Sequence, residues 1–109
     1  MKIVAGAAPR LEPGTVFVRG YFDPLLSAHV EALRRHKTAA PLAVLLEDPE
    51  APLLPRQARA ELLAALDLVD YVLLDSNVPG AATAADLCGD DLARRDALIH
   101  HVASRHGRL

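Results

Sequence analysis

Apolar positions along this chain follow two spacings, one of strands and one of helices. Thr15 to Arg19 is a β-branched and aromatic run that follows the turn pair Pro13-Gly14, which predicts a strand. Leu26, Val30 and Leu33 then recur at helical spacing, with Glu31 and Arg35 paired on another face and Ser27 placed to cap the helix. Leu42 to Leu46 is unbroken by polar residues and ends at Glu47-Asp48-Pro49, as expected of a strand covered on both faces. Prolines mark Pro49 to Pro55 as a loop. From Arg56 to Leu68 the spacing of Ala58, Leu62, Leu66 and Val69 predicts a second helix, with Pro55 suited to its first turn, and Tyr71 to Leu74 supplies a third strand. Val78 to Ala85 is small and turn-rich, which points to an irregular connection. Asp90 to Arg105 is again helical in pattern: Leu92, Arg95, Ile99 and Val102 share a face, and Asp90-Arg94 and Asp91-Arg95 are i,i+4 pairs. Lys2 to Val4 reads as a small edge element or an arm.

Strand, helix, strand, helix, strand with short connections is the pattern of a parallel sheet with right-handed crossovers. The expected fold is α/β, a Rossmann-like three-layer α/β/α arrangement with a short βαβαβ sheet and a C-terminal helix, in a single domain over residues 1–109. Composition narrows the function. Hydrophobic residues make up 51% of the chain, enough for a core, but aromatics are 4% and tryptophan is absent. Few rings are left for stacking on bases, and the formal charge of -2 also argues against nucleic acid. The charge is uneven, about +2 over the first sixty residues and -4 over the rest, which favours the first half for an anionic ligand. Cys88 is the only cysteine, so neither an internal disulfide nor a CxxC motif is available. With no segment approaching a membrane span and no signal-like start, a soluble cytoplasmic protein without a membrane partner is expected.

In an open parallel sheet, ligands bind beyond the carboxyl ends of the strands, near the point where strand order reverses. That edge should carry Tyr21 to Ala28, Glu47 to Pro55 and Asp75 to Asn77. The turn from Leu26 to His29 opens a helix, whose unpaired N–H groups and positive dipole end suit a phosphate.

The segment Gly20-Tyr21-Phe22-Asp23-Pro24-Leu25-Leu26-Ser27-Ala28-His29 resembles the G-x-F-D-x-x-H-x-G-H motif of the cytidylyltransferase-like nucleotidyltransferase superfamily. Gly20, Phe22, Asp23 and His29 match, whereas Leu26 stands at the first histidine and Ala28 at the glycine. Leu54 to Leu74 is similar to the second helix and third strand of heptose adenylyltransferase and glycerol-phosphate cytidylyltransferase domains, with Arg59 at the helix arginine and Val69-Asp70-Tyr71-Val72 at the strand entry. The Ser/Thr-rich turn that follows the third strand in that family has no counterpart, and only Arg94 to Ile99 resembles the helix beyond it.

The resemblance implies a degenerate, truncated site that binds a nucleotide or phosphorylated small molecule with weak or no transfer. His29 is the implied catalytic residue, and Gly20, Tyr21, Phe22, Asp23, Ser27, Ala28, His29 and Arg59 are the implied nucleotide and phosphate contacts. Magnesium would accompany the nucleotide, and a homodimer is implied. A partner-completed transferase and a noncatalytic interaction module are the alternatives. Bland readings stay open for each residue: His29 as a first-turn polar residue, Asp23 as a loop brace, Arg59 as a solvated charge, Glu47-Asp48 as a solvating pair. His100, His101 and His106 lack i,i+4 spacing, so no protein-held metal is expected.

Overall fold

Each of the apolar runs becomes a strand of one parallel sheet. The computed structural model describes residues 2–4, 11–74 and 83–106, in the order β1 (Ile3–Val4), β2 (Val16–Gly20), α1 (Ser27–His36), β3 (Leu42–Leu46), α2 (Arg56–Ala64), β4 (Tyr71–Leu73), β5 (Thr83–Asp86) and α3 (Cys88–His106). Spatially the strands lie β1-β4-β3-β2-β5, and every pairing is parallel. This is a small Rossmann-like α/β fold. No described helix is long and apolar enough to cross a membrane.

β3 is central and all five of its residues are buried, as its uninterrupted apolar sequence requires. Alternation along the strands separates two cores. Val18, Leu42, Val44, Leu46 and Val72 pack with Ala32 and Leu33 of α1 and with Ala60 and Leu63 of α2. Ala43, Leu45 and Leu73 face the other way, with Val4, Leu11, Phe17 and Tyr71 against them. Fully burying one such Leu or Val contributes about 1.5–3 kcal/mol, so the sheet centre holds much of the stability. Asp70, at the entry to β4, accepts from the Leu42 N–H at 2.8 Å and from Lys37 Nζ at 2.9 Å, tying the start of β3 to the start of β4. Burial works to raise its pKa, but the Lys37 ammonium and the Leu42 N–H outweigh that and hold it below the usual carboxylate value.

Several expectations are corrected. Thr83 to Ala85, expected in an irregular connection, belong to the fifth strand Thr83–Asp86, in which Ala85 sits against Val18 of β2 and its small side chain joins the first core. The remainder of that connection, residues 78–82, lies outside the described residues. The buried face of α2 carries Arg59, Ala60 and Leu63, while Leu62 is 46% exposed and the helix ends at Ala64. On α3, Leu92 and Ile99 are exposed and Asp91 is buried, the reverse of the apolar-face reading. In both helices the inward face carries a charged side chain that is hydrogen-bonded to backbone groups of the loops.

From β2 the chain proceeds through β3 to β4 in one direction, and β5 is then added on the opposite side of β2. Strand order therefore reverses between β2 and β5. The turns leaving these two strands, β2–α1 and β5–α3, converge at the place where such folds hold ligands.

Candidate functional site

The β2–α1 turn is built around a glycine that cannot carry a side chain. A Cβ on Gly20 would lie 2.6 Å from Cε2 of Phe22 and 2.8 Å from Oδ2 of Asp91, well inside contact distance. The absence of that methyl lets Phe22 fold back beneath the turn, fully buried, with its backbone in the left-handed region at φ 48°. Such a conformation costs on the order of 1–3 kcal/mol for a residue with a side chain and persists only where surrounding contacts impose it. Asp91 imposes it from above: Oδ2 accepts from the Tyr21 N–H at 2.7 Å and from the Phe22 N–H at 3.2 Å.

His29 closes the same arrangement. Its ring is 1% exposed and stands edge-on to Phe22 with centroids 5.2 Å apart. Nδ1 accepts from the Leu26 N–H at 2.9 Å, which leaves the ring proton on Nε2, donated to Asp91 Oδ1 at 2.5 Å. Neither ring nitrogen is open to a ligand in this geometry. Reaching back to the Leu26 amide, His29 does the capping expected of Ser27, which instead lies exposed on the first turn. The N–H groups of Ser27 and Ala28 have no hydrogen-bond partner among the described residues, as expected of the first turn at the positive end of α1.

Two further charged residues bind the turn to its neighbour. Asp23, 3% exposed, accepts from the Leu53 and Leu54 N–H groups at 2.7 and 2.8 Å. Arg59, 1% exposed, donates to the carbonyls of Leu54, Tyr21 and Glu47 at 3.1, 3.1 and 2.9 Å, and to Asp48 Oδ1 at 2.6 Å. Four of its five N–H groups are thereby engaged within the chain. Glu47 pairs with Arg19 across the ends of β2 and β3.

The side of the site toward β5 is less reactive than its composition suggests. Burial, with Asp86 beside it, pushes the Cys88 thiol up to about 12, and burial with the Cys88 contact raises the Tyr21 phenol. Asp86 is held below its ordinary value by the Cys88 N–H. Among the described residues no three His, Cys, Asp or Glu side chains converge to hold a metal ion.

The structure thus brings Gly20, Tyr21, Phe22, Asp23, His29 and Arg59 into one connected network and leaves Ser27 and Ala28 on its rim. Asp91 is the residue that sequence reasoning missed. The i,i+4 spacing pairs it with Arg95, but Arg95 donates to the Ala51 carbonyl and lies 3.8 Å from Asp23. The available signal was a carboxylate in the first turn of the C-terminal helix. Asp75 to Asn77, the Asp90 side chain in the expected Asp90-Arg94 pair, and the side chains of Val102, His100, His101 and His106 lie outside the described residues.

Comparison with known proteins finds similarity over part of the chain. It is 39% identical to the bifunctional protein HldE of Pelobacter propionicus, over 54% of this chain and 14% of that protein. It is 37% identical to the HldE of Syntrophotalea carbinolica and 36% identical to that of Geobacter sulfurreducens, in each case over 59% of this chain and 15% of the relative. The chain therefore spans about one seventh of the length of these relatives. No protein-family model and no solved structure matches it significantly.

Proposed function

We propose that this chain is a nucleotidyltransferase-like domain that receives a nucleotide or phosphorylated small molecule at the β2/β5 switch point, with weak or no transfer activity. The relatives are heptose kinase/adenylyltransferases, and that likeness supports the adenylyltransferase-like character. The observation that carries the finer reading is the state of the two histidine positions. Leu26 has no donor to offer, and both ring nitrogens of His29 are engaged by Leu26 and Asp91.

Nucleotidyl transfer demands charge stabilisation as pyrophosphate leaves, and it is achieved mainly by positioned donors. Losing one such donor typically costs about 100- to 1,000-fold in rate. Binding is less affected, because the Ser27 and Ala28 N–H groups are main-chain donors at a helix N-terminus, which suit a phosphate whatever side chains surround them. His29, Asp23 and Arg59 act in this reading as positioning residues that hold the turn. Magnesium, where it is used, comes with the nucleotide's phosphates.

Thermal denaturation with CTP, ATP, CDP-glycerol and ADP-heptose, each with and without magnesium, tests binding. A ligand at 100 times its dissociation constant adds about 2.7 kcal/mol, a readily seen shift. Pyrophosphate release with pooled sugar phosphates tests transfer. Stabilisation with release near background is expected. Sustained turnover would favour the partner-completed transferase, and no response to any nucleotide would favour the interaction module. The exposed Leu92 and Ile99, seven residues apart on α3, favour a homodimer, for which Leu92→Asp should shift the mass measured by light scattering to that of one chain.

A further inference from the structure

A cavity lies between α1 and α3, toward the last turn of α1 and away from its N-terminus. It has a volume of about 320 Å³ and is lined by Ala32, Arg35, His36, Leu87 and Arg94. That volume sits at the lower end of small-ligand sites. Among the described residues its wall carries two guanidinium groups and one imidazole, and no carboxylate. Ala32 and Leu87, both buried, form the apolar floor.

Basic residues in the last turn of a helix commonly offset its dipole, and Arg34, Arg35 and His36 occupy that turn of α1. Arg94 does not fit this explanation, since it comes from α3. Its Nη1 is buried and has no hydrogen-bond partner among the described residues. A buried guanidinium donor without an acceptor is unfavourable, and native proteins supply one, commonly an ordered water or a bound ion. Guanidinium groups favour tetrahedral oxyanions, which they bind through paired N–H donors.

We infer that this cavity is a binding site for a phosphate group, free or as a monoester, held by Arg94 from α3 and by Arg35 and His36 from α1. It would span the helix pair whose upper end His29 and Asp91 already join. The site is separate from the proposed nucleotide position and does not depend on it.

The test is thermal denaturation in a buffer free of phosphate, titrated with sodium phosphate, glycerol phosphate or sodium chloride at matched ionic strength. Wild type, Arg94→Gln, Arg35→Gln and the control Arg34→Gln are compared. Arg34 is exposed on the same turn but does not line the cavity. The expected result is a saturable stabilisation by phosphate that chloride does not reproduce. Its midpoint should weaken at least tenfold in Arg94→Gln and Arg35→Gln but less than twofold in Arg34→Gln. A stronger response to glycerol phosphate would identify a monoester site, and an equal response a site for the phosphate group alone. Without phosphate, Arg94→Gln should be at least as stable as wild type, because it removes an unsatisfied donor. An absent response, a response that follows ionic strength, or equal midpoints in wild type and Arg94→Gln would overturn the proposal. ATP stabilisation retained in Arg94→Gln would show that the nucleotide position is unaffected, so the two readings fail independently.

Discussion

Replacing Arg59 with alanine separates a structural clasp from a ligand contact. The side chain is 1% exposed and engages three main-chain carbonyls besides Asp48. Hydrogen bonds from a charged donor contribute about 1.5–3 kcal/mol each, though bonds from one guanidinium are not additive. The Asp48 side chain is half exposed, so its charge returns to water and the ion pair itself adds little. The aliphatic stem adds a packing loss. Together these put the cost of Arg59→Ala at roughly 3–5 kcal/mol, a large share of the 5–15 kcal/mol typical of a domain. With a urea m-value of about 1–3 kcal/mol/M, the midpoint should fall by roughly 2 M with m unchanged. Arg59→Lys should lose about 2 kcal/mol, because a single ammonium cannot span Leu54, Tyr21 and Glu47 at once. If Arg59→Ala stayed within 0.5 kcal/mol of wild type yet abolished nucleotide binding, the clasp argument would be wrong and the arginine would be a phosphate ligand.

Three other measurements probe the same turn and its surroundings. Gly20→Ala should cost about 1–3 kcal/mol in chemical denaturation, because its methyl would displace Phe22 and Asp91; a neutral effect would show that the turn is free to adjust. At pH 8 the Cys88 thiol, at about 12 against an ordinary 9.0, should react with iodoacetamide about 1,000-fold more slowly in the folded chain than in urea, and rates within tenfold of each other would contradict its placement. Asp70 and Asp86 have folded pKa values lowered from 3.8, so their stabilisation is present above that value and lost as pH falls through the lower folded ones. Stability should therefore decline between about pH 5 and pH 2, less steeply in Asp70→Asn, and an unchanged slope in that variant would refute the assignment.

The parallel βαβαβ core was legible because its strands are continuous apolar runs and its helices are amphipathic. The unbroken Leu42 to Leu46 run, buried throughout, is the clearest case. β5 was not legible. Its sequence Thr-Ala-Ala-Asp has little strand propensity, and it is a strand because β2 offers it an edge and a shallow apolar surface. The helix faces of α2 and α3 were misread for a related reason. Periodicity scores apolar side chains, but the faces turned inward carry the hydrogen-bonded Arg59 and Asp91, while Leu62, Leu92 and Ile99 stay exposed. The turn from Gly20 to His29 was recognisable as a unit, whereas its internal wiring was not, since no spacing rule connects His29 to a carboxylate 62 residues away.

The hydrogen bonds of the clasp formed by Asp23 and Arg59 go almost wholly to peptide groups, two amides and three carbonyls, with the Asp48 carboxylate as the one side-chain hydrogen-bond partner among the described residues and Arg95 at longer range from Asp23. Its geometry is therefore indifferent to which side chains residues 50–53 display. Randomising those positions should leave a folded scaffold with an altered rim, provided proline is kept out of position 53, where an N–H is needed. Specificity on this rim can diverge while the frame beneath it stays constant.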